Sequence, residues 1–152
     1  MAQKIPPKTL TNKDWLLLAL ASREDGRLTP VQVQKSMFLV GNQAAKFVGP
    51  DFYKFVAYDY GPFDSAIYSD LEDLAREELV VIERSSTRGW PIYVLTTAGA
   101  KRAQNLSERL ASNLTKFLAE VVDWVTRKSF SDLIRSIYLN FPEYKENSVF
   151  KG

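Results

Sequence analysis

The stretch Tyr58-Asp59-Tyr60-Gly61-Pro62-Phe63 constrains the fold of this chain more than any other. Gly61 can adopt a backbone conformation that residues with a Cβ atom rarely take. Pro62 suits the first turn of a helix. Behind it, apolar residues recur at helical spacing: Phe63, Ile67, Leu71 and Leu74. The sequence therefore predicts an aromatic strand, a tight structural corner at Tyr60, Gly61 and Pro62, and then an amphipathic helix.

Composition argues against several classes of enzyme. The 152 residues contain neither histidine nor cysteine, so the commonest general base and the thiolate metal ligand are both missing. There is no glycine-rich phosphate loop and no Gly-x-Ser-x-Gly elbow. Nothing marks two of the carboxylates as an acid/base pair. We therefore expect a protein that is not an enzyme and that uses no metal and no cofactor.

The longest apolar run, Trp15 to Ala21, is too short to span a bilayer, and the N-terminus lacks the apolar core of a signal peptide. These features predict a cytoplasmic protein with no membrane association.

The first helices are marked by capping signals. Thr11 and Asp14 predict an N-cap, with Leu10 and Trp15 spaced as a hydrophobic staple, and the helix should run to about Arg23. Thr29-Pro30 predicts the start of a second helix. Its inner stripe should be Val33, Met37, Val40 and Ala44, and its outward residues Gln32, Lys35 and Gln43. Gly41 indicates either close approach of another element or a local break in the helix.

The segment from Phe52 to Tyr60 is extended by composition and crowded with aromatic rings around Lys54. Two interpretations stay open: a half-buried strand whose rings fill the core, or a platform on which bases stack. After the central helix, residues 79–82 and 90–95 predict a β-hairpin around a polar turn. Pro91 places the second strand at a sheet edge. Thr96 and Gly99 then open another helix.

This order predicts an α+β, mostly α fold: a winged helix-turn-helix-like domain with a small β-hairpin wing and a C-terminal helical arm. The expected divisions are a tail at 1–10, the domain at 11–105 and the arm at 106–152. The arm carries a capping box at Ser129 and Asp132, a stop at Pro142, and the apolar seam Leu110, Leu114, Phe117, Val121 and Trp124. That seam either packs on the same chain or forms a homodimer.

Three motifs carry a family resemblance: Gln34-Lys35 with Met37-Phe38, the stretch Tyr58 to Phe63, and Leu95-Thr96-Thr97-Ala98-Gly99. Together they resemble the bacterial YwgA-like proteins and, more distantly, the Panacea or SocA-like domain found in antitoxins and proteolytic adaptors. The resemblance covers about residues 11 to 105. It implies a winged-helix-like module that acts through a partner protein, such as a toxin, rather than by catalysis.

Charge predicts where that partner binds. The net charge is only +2, yet residues 64–78 carry six carboxylates and a single arginine. Such a helix would be repelled by the phosphates of DNA. It either presents a solvated face with no partner or docks a basic protein. The predicted partner-binding residues are Tyr68, Glu72, Asp73 and Arg76, of which Tyr68, Glu72 and Arg76 are spaced to share one exposed face.

The alternative function is a DNA-binding transcriptional regulator that contacts DNA mainly through its wing. Basic and aromatic residues suited to phosphate contact gather on or beside the predicted wing and in the helix after it: Arg84, Arg88, Trp90, Lys101 and Arg102.

Overall fold

The computed structural model describes residues 4–152 and confirms an α+β, mostly helical fold with small antiparallel sheets. The helices are α1 (Asn12–Ala21), α2 (Pro30–Gln43), α3 (Ala66–Arg76), α4 (Thr97–Glu108), α5 (Ser112–Thr126) and α6 (Phe130–Asn140). The strands are β1 (Arg27–Leu28), β2 (Val56–Tyr58), β3 (Gly61–Phe63), β4 (Val80–Glu83) and β5 (Ile92–Leu95). Two 3-10 helices, Pro7–Thr9 and Pro142–Lys145, flank them.

The capping signals of the first two helices are confirmed. Thr11 and Asp14 exchange both hydrogen bonds of a capping box at the start of α1. Thr29 and Gln32 do the same at the start of α2. Helix α1 ends at Ala21, two residues before the predicted Arg23. The interior of α1 is buried all round, so this helix forms the centre of the core.

Strands β1, β5 and β4 form an antiparallel sheet in that order. The edge position predicted from Pro91 is therefore wrong, because β5 lies in the middle of the sheet. Pro91 stands just before the first residue of β5, where its missing N–H removes no hydrogen bond from the ladder.

The start of α4 is joined closely to the start of β4. Thr96 caps α4 by accepting from the Gly99 amide, and its hydroxyl donates to the Glu78 carbonyl. A Cβ atom on Gly99 would lie 2.1 Å from the Leu79 carbonyl oxygen. Only glycine allows the backbone of Leu79 to approach position 99 so closely. The need for a cap at Thr96 and for this close approach at Gly99 accounts for the two residue types at that spacing.

The C-terminal helices are part of the same core. Helix α5 packs on α1 and α2, and α6 packs on β3. Phe38 of α2 meets Phe55, Phe141 and Tyr144, with ring centroids 4.9 to 5.4 Å apart. The seam is interrupted between α4 and α5, so Leu110 lies in the connection rather than on a continuous helix.

Two details of the arm differ from expectation. Trp124 is half-buried, with Lys128 Nζ 4.5 Å from its ring centroid. At α6 only half of the capping box forms: Ser129 Oγ accepts from the Asp132 amide, while the Asp132 carboxylate pairs with Arg135. The predicted stop at Pro142 is confirmed.

Among residues 4–152, no helix has the length and apolar character that crossing a lipid bilayer requires.

Candidate interaction site at the hairpin corner

The predicted corner is a β-hairpin. Strands β2 and β3 pair antiparallel, with Tyr58 opposite Gly61 and Val56 opposite Phe63. Gly61 has a φ of +99°, as the sequence predicted, and a hairpin commonly places such a residue next to its turn. The expectation that Pro62 lies in the first turn of the central helix is wrong. It lies within β3, and α3 begins only at Ala66, where the Asp64 carboxylate accepts from the Ala66 amide.

Two side chains of α2 hydrogen-bond to the backbone of β3 and the residue after it. Gln34 donates from Nε2 to the Asp64 carbonyl at 2.9 Å and accepts from the Asp64 amide at 3.0 Å. Lys35 Nζ donates to the Pro62 carbonyl at 3.0 Å. These three hydrogen bonds supply partners that a third strand would otherwise provide. They explain why a Gln-Lys pair and a Gly-Pro corner occur in one chain.

Lys35 was expected to face outward, and that expectation is wrong, because its side chain is only 3% exposed. Val31 and Leu39 lie four residues before and after it, so helical periodicity does place Lys35 on an inner face. Burial lowers its pKa to about 7. A lysine of this pKa could act as a nucleophile, but its burial and its bond to the Pro62 carbonyl indicate a structural role.

The edge of β2 is covered by the segment Asn147–Phe150, which we call the strap. The Val149 amide donates to the Asp59 carbonyl at 2.9 Å, and Asn147 Nδ2 donates to the Ala57 carbonyl at 3.2 Å. Ser148 Oγ accepts from the Tyr138 hydroxyl at 2.5 Å. The hairpin is therefore held along both strands.

Exposed aromatic rings surround this corner. Tyr58, Tyr60 and Phe130 are 51%, 44% and 43% exposed. Tyr60 packs edge-on against Phe130, and Phe130 packs against Phe150 of the strap, with centroids 5.2 and 6.2 Å apart. We call Tyr58, Tyr60 and Phe130 the corner patch. Exposed aromatic clusters of this kind are typical of protein-binding surfaces.

The aromatic stretch divides into a buried part, as the core interpretation predicted, and an exposed part. Phe52 and Tyr53 are core residues, whereas Tyr58 and Tyr60 are exposed. The strand is also shorter than predicted, because only Val56–Tyr58 of the stretch is paired.

An aromatic row leads from the corner patch to the three-stranded sheet. Tyr58 stacks on Phe63 at 4.7 Å, Phe63 meets Tyr68 at 5.7 Å, and Tyr68 stacks on Tyr93 at 6.4 Å. Burial raises the pKa of Tyr68, and a hydrogen bond with Gln34 opposes this shift. Tyr68 is thus half-buried rather than exposed as expected, whereas Glu72 and Arg76, four and eight residues further along α3, are exposed.

Most carboxylates of residues 64–78 have partners within the chain. The Asp64 carboxylate accepts from backbone amides of Lys54 and Ala66, and Asp70 accepts from the Tyr53 hydroxyl at 2.5 Å. Asp73 pairs with both Lys13 and Arg76, and Glu77 pairs with Lys13. The outward acidic surface is consequently smaller than the sequence suggested, although Glu72 and Glu78 are exposed.

The loop between β4 and β5 holds the basic residues of the predicted wing. Arg88 is directed inward, since its guanidinium donates to the Trp90 and Glu83 carbonyls. Arg84 and Trp90 are exposed. On α4, Lys101 is exposed, and Arg102 lies 3.8 Å from the Asp14 carboxylate. The fold therefore frees Arg84 and Trp90 for a ligand more than it frees Arg88.

Within the described range, no group of three or more carboxylates is arranged to hold a metal ion. A groove of about 400 Å³ lies away from the corner, between the N-terminal segment, the end of α2 and the start of α5. Its walls are largely apolar, with Ile5, Phe47 and Phe117 among them. No protein-family model and no curated protein matches this sequence.

Proposed function

We propose that this chain is a non-enzymatic protein-interaction module of the antitoxin or adaptor type, and that it binds its partner through the corner patch. The exposed rings of Tyr58, Tyr60 and Phe130 carry this proposal. Tyr58 and Tyr60 are held on a hairpin whose backbone is hydrogen-bonded on both sides, and Phe130 is held at the start of α6, so little conformational entropy is lost when a partner binds. Aromatic anchors in such positions commonly dominate binding energy.

The proposed surface continues along the aromatic row toward Glu72. The pKa of Tyr93 is raised to about 12, mainly by burial, with smaller effects from Tyr68, Arg84 and Glu72. Glu72 is exposed and lies one helical turn after Tyr68 on α3, so it forms an acidic rim beside the row. The predicted acidic docking face thus becomes a flank of an aromatic site, which suits a partner with apolar anchors and a basic residue beside them.

The fold in this proposal is a winged helix with an inserted corner hairpin. Helices α1, α2 and α3 precede the β4–β5 hairpin, and the sheet order β1-β5-β4 is the one that a winged domain requires. The hairpin β2–β3 then stands between the second and third helices, where it presents the corner patch.

Site-specific cross-linking tests the interaction. A photoreactive phenylalanine analogue at Tyr60 should cross-link a partner in cells of the native host, whereas the same analogue at Phe47 should not. Phe47 is the matched control, because it is 46% exposed but lines the separate groove. With the partner purified, Tyr60→Ala and Phe130→Ala should each weaken binding by at least about tenfold, the size expected for an interface anchor. Equal losses from Phe47→Ala would contradict the proposal.

DNA binding is the second candidate, and the exposed Arg84 and Trp90 on the β4–β5 loop favour it. One arginine and one indole supply a phosphate contact and a stacking surface. The carboxylates of α3 oppose entry of that helix into a groove, so any contact would be made by the wing.

A further inference from the structure

We propose that the edge of β2 is a docking site for an extended peptide segment of the partner, and that the strap occupies this site in place of that segment. The inference rests on the proposed function and names the chemistry of the partner. An extended peptide that adds to a strand edge gains affinity from backbone hydrogen bonds and specificity from side-chain slots.

The strap shows which groups the edge offers. Two carbonyls, those of Ala57 and Asp59, lie two residues apart and accept from Asn147 Nδ2 and the Val149 amide. The spacing of two residues is that of successive groups along one edge of a strand. An extended segment with donors two residues apart therefore satisfies both carbonyls.

The space beside the edge of β2 that the Phe150 ring occupies, against Phe130 and Tyr138, suits an aromatic side chain. We call this space the aromatic slot. The Phe150 ring lies 6.2 Å from Phe130 and 6.4 Å from Tyr138, measured between centroids. Phe150 follows the donor residue Val149 directly. The expected peptide carries an aromatic residue immediately after the residue whose amide binds the Asp59 carbonyl, as in the strap sequence Asn-Ser-Val-Phe.

The strap is held weakly enough to be displaced. Asn147 and Val149 are exposed, and Ser148 and Phe150 are only half-buried. The Phe150 ring packs against Phe130 and Tyr138, and Ser148 Oγ accepts from the Tyr138 hydroxyl and donates to the Asp59 carbonyl at 3.3 Å in part-buried positions. The rest of the attachment is a few hydrogen bonds at the surface, each of which contributes little net free energy. Its advantage over a free peptide is the local concentration provided by the chain, which is on the order of millimolar for a short tether.

The test uses the full-length chain and a fluorescent peptide of residues 145–152. Val149→Pro removes the amide donor, and Phe150→Ala empties the aromatic slot. The double variant should bind the peptide at least about tenfold more tightly than wild type does, because the competing strap has been released. A peptide with alanine in place of its phenylalanine is the control and should bind weakly to both proteins. Phe150→Ala alone, with a thermal melt of each variant, separates release of the strap from loss of folding.

Three results would overturn the inference. The first is equal affinity of the peptide for wild type and the folded variants, and the second is no binding to either at about 1 mM peptide, the concentration a short tether supplies. A wild-type dimer that the double substitution abolishes, measured by light scattering, would assign the edge to a second copy of this chain and would also overturn it.

The same variants separate this inference from the proposed function. If the purified partner depends on Tyr60 and Phe130 but binds the strap variants and wild type equally, the edge inference fails and the interaction module stands. If the peptide binds as expected but the partner is insensitive to Tyr60→Ala and Phe130→Ala, the proposed function fails and the edge site stands.

Discussion

At the scale of single residues, the corner depends on groups that satisfy the backbone where no third strand is present. Lys35 and Gln34 reach from α2 to the Pro62 and Asp64 backbone. Gly61 adopts a φ of +99° so that the chain can turn back along β2. Each of these residues has a measurable effect on stability that does not depend on finding a partner.

Gly61→Ala should lower the free energy of unfolding by on the order of 1–3 kcal/mol, because a residue with a Cβ is strained at positive φ. The added Cβ would also lie 3.3 Å from Tyr138 Cε1, which adds a packing cost. Gly89→Ala is the control, since nothing lies within 4 Å of a Cβ there. Urea unfolding of wild type, Gly61→Ala and Gly89→Ala measures the difference. Equal midpoints for all three would show that Gly61 is not needed to avoid backbone strain at the corner.

Lys35 should make stability rise with pH between about 7 and 10.5. The unfolded chain keeps the lysine proton up to its ordinary pKa of 10.5, whereas the folded chain releases it above about 7. Because the unfolded state binds more protons in this window, the free energy of unfolding should increase by up to about 1.4 kcal/mol per pH unit. Below pH 7 both states are protonated, and Lys35 adds no slope.

Unfolding curves from pH 7 to 9 test this effect. That range avoids the raised tyrosine pKa values, which lower stability above pH 10 because the folded state then holds more protons. Lys35→Met should flatten the rise, and Lys101→Met, at an exposed position of α4, should keep it. A wild-type slope that Lys35→Met leaves unchanged would show that another group is responsible.

At the scale of elements, α5 and α6 complete the core and support the corner. The residues of α5 that face the core are Leu114, Leu118, Val121, Val122 and Val125. Helix α6 contributes Phe130 and Tyr138, which hold the strap against the hairpin. Stability of the arm and geometry of the candidate site are therefore linked.

Leu118→Ala should cost about 2–5 kcal/mol, the usual cost of removing a buried leucine side chain. Trp124→Ala should cost less, because its ring is half-buried and lies under Lys128. Leu139→Ala is the control, as Leu139 is 84% exposed. Thermal melts at two protein concentrations measure all three. A midpoint that falls on dilution would indicate that the arm also joins two protomers.

At the scale of the whole molecule, charge and exposure separate the two candidate functions. The aromatic rings and the strap are at the corner, whereas Arg84 and Trp90 are on the β4–β5 loop. A protein partner and a nucleic acid would accordingly be sensitive to different substitutions.

Wild-type protein should bind a random duplex only at low salt, and Arg84→Ala should weaken that binding, because contacts with phosphates are lost as salt rises. Arg84 is a cleaner choice than Arg88, whose side chain holds the loop together. Lys116→Ala, exposed on α5, is the control. A mobility-shift titration at low and physiological salt distinguishes the two candidate functions. Nanomolar binding of a defined DNA sequence at physiological salt would favour a DNA-binding transcriptional regulator over a protein-interaction module.

Local signals in the sequence determined where several of the elements begin or end. Capping pairs at Thr11 and Thr29, the glycine at position 61 and the stop at Pro142 act within a few residues of themselves, so they could be recognised without a structure. The same holds for the apolar periodicity that gave α3 its buried stripe.

Contacts between distant segments were decided only by the tertiary structure. The Lys35 ammonium group finds its hydrogen-bond partner in a carbonyl 27 residues away, and the cover of β2 comes from residues near position 148. Nothing local in the sequence indicates that Phe130 packs against both Tyr60 and Phe150. The candidate site is an assembly of such contacts, because backbone groups left open by a two-stranded hairpin must find partners wherever the packed chain supplies them.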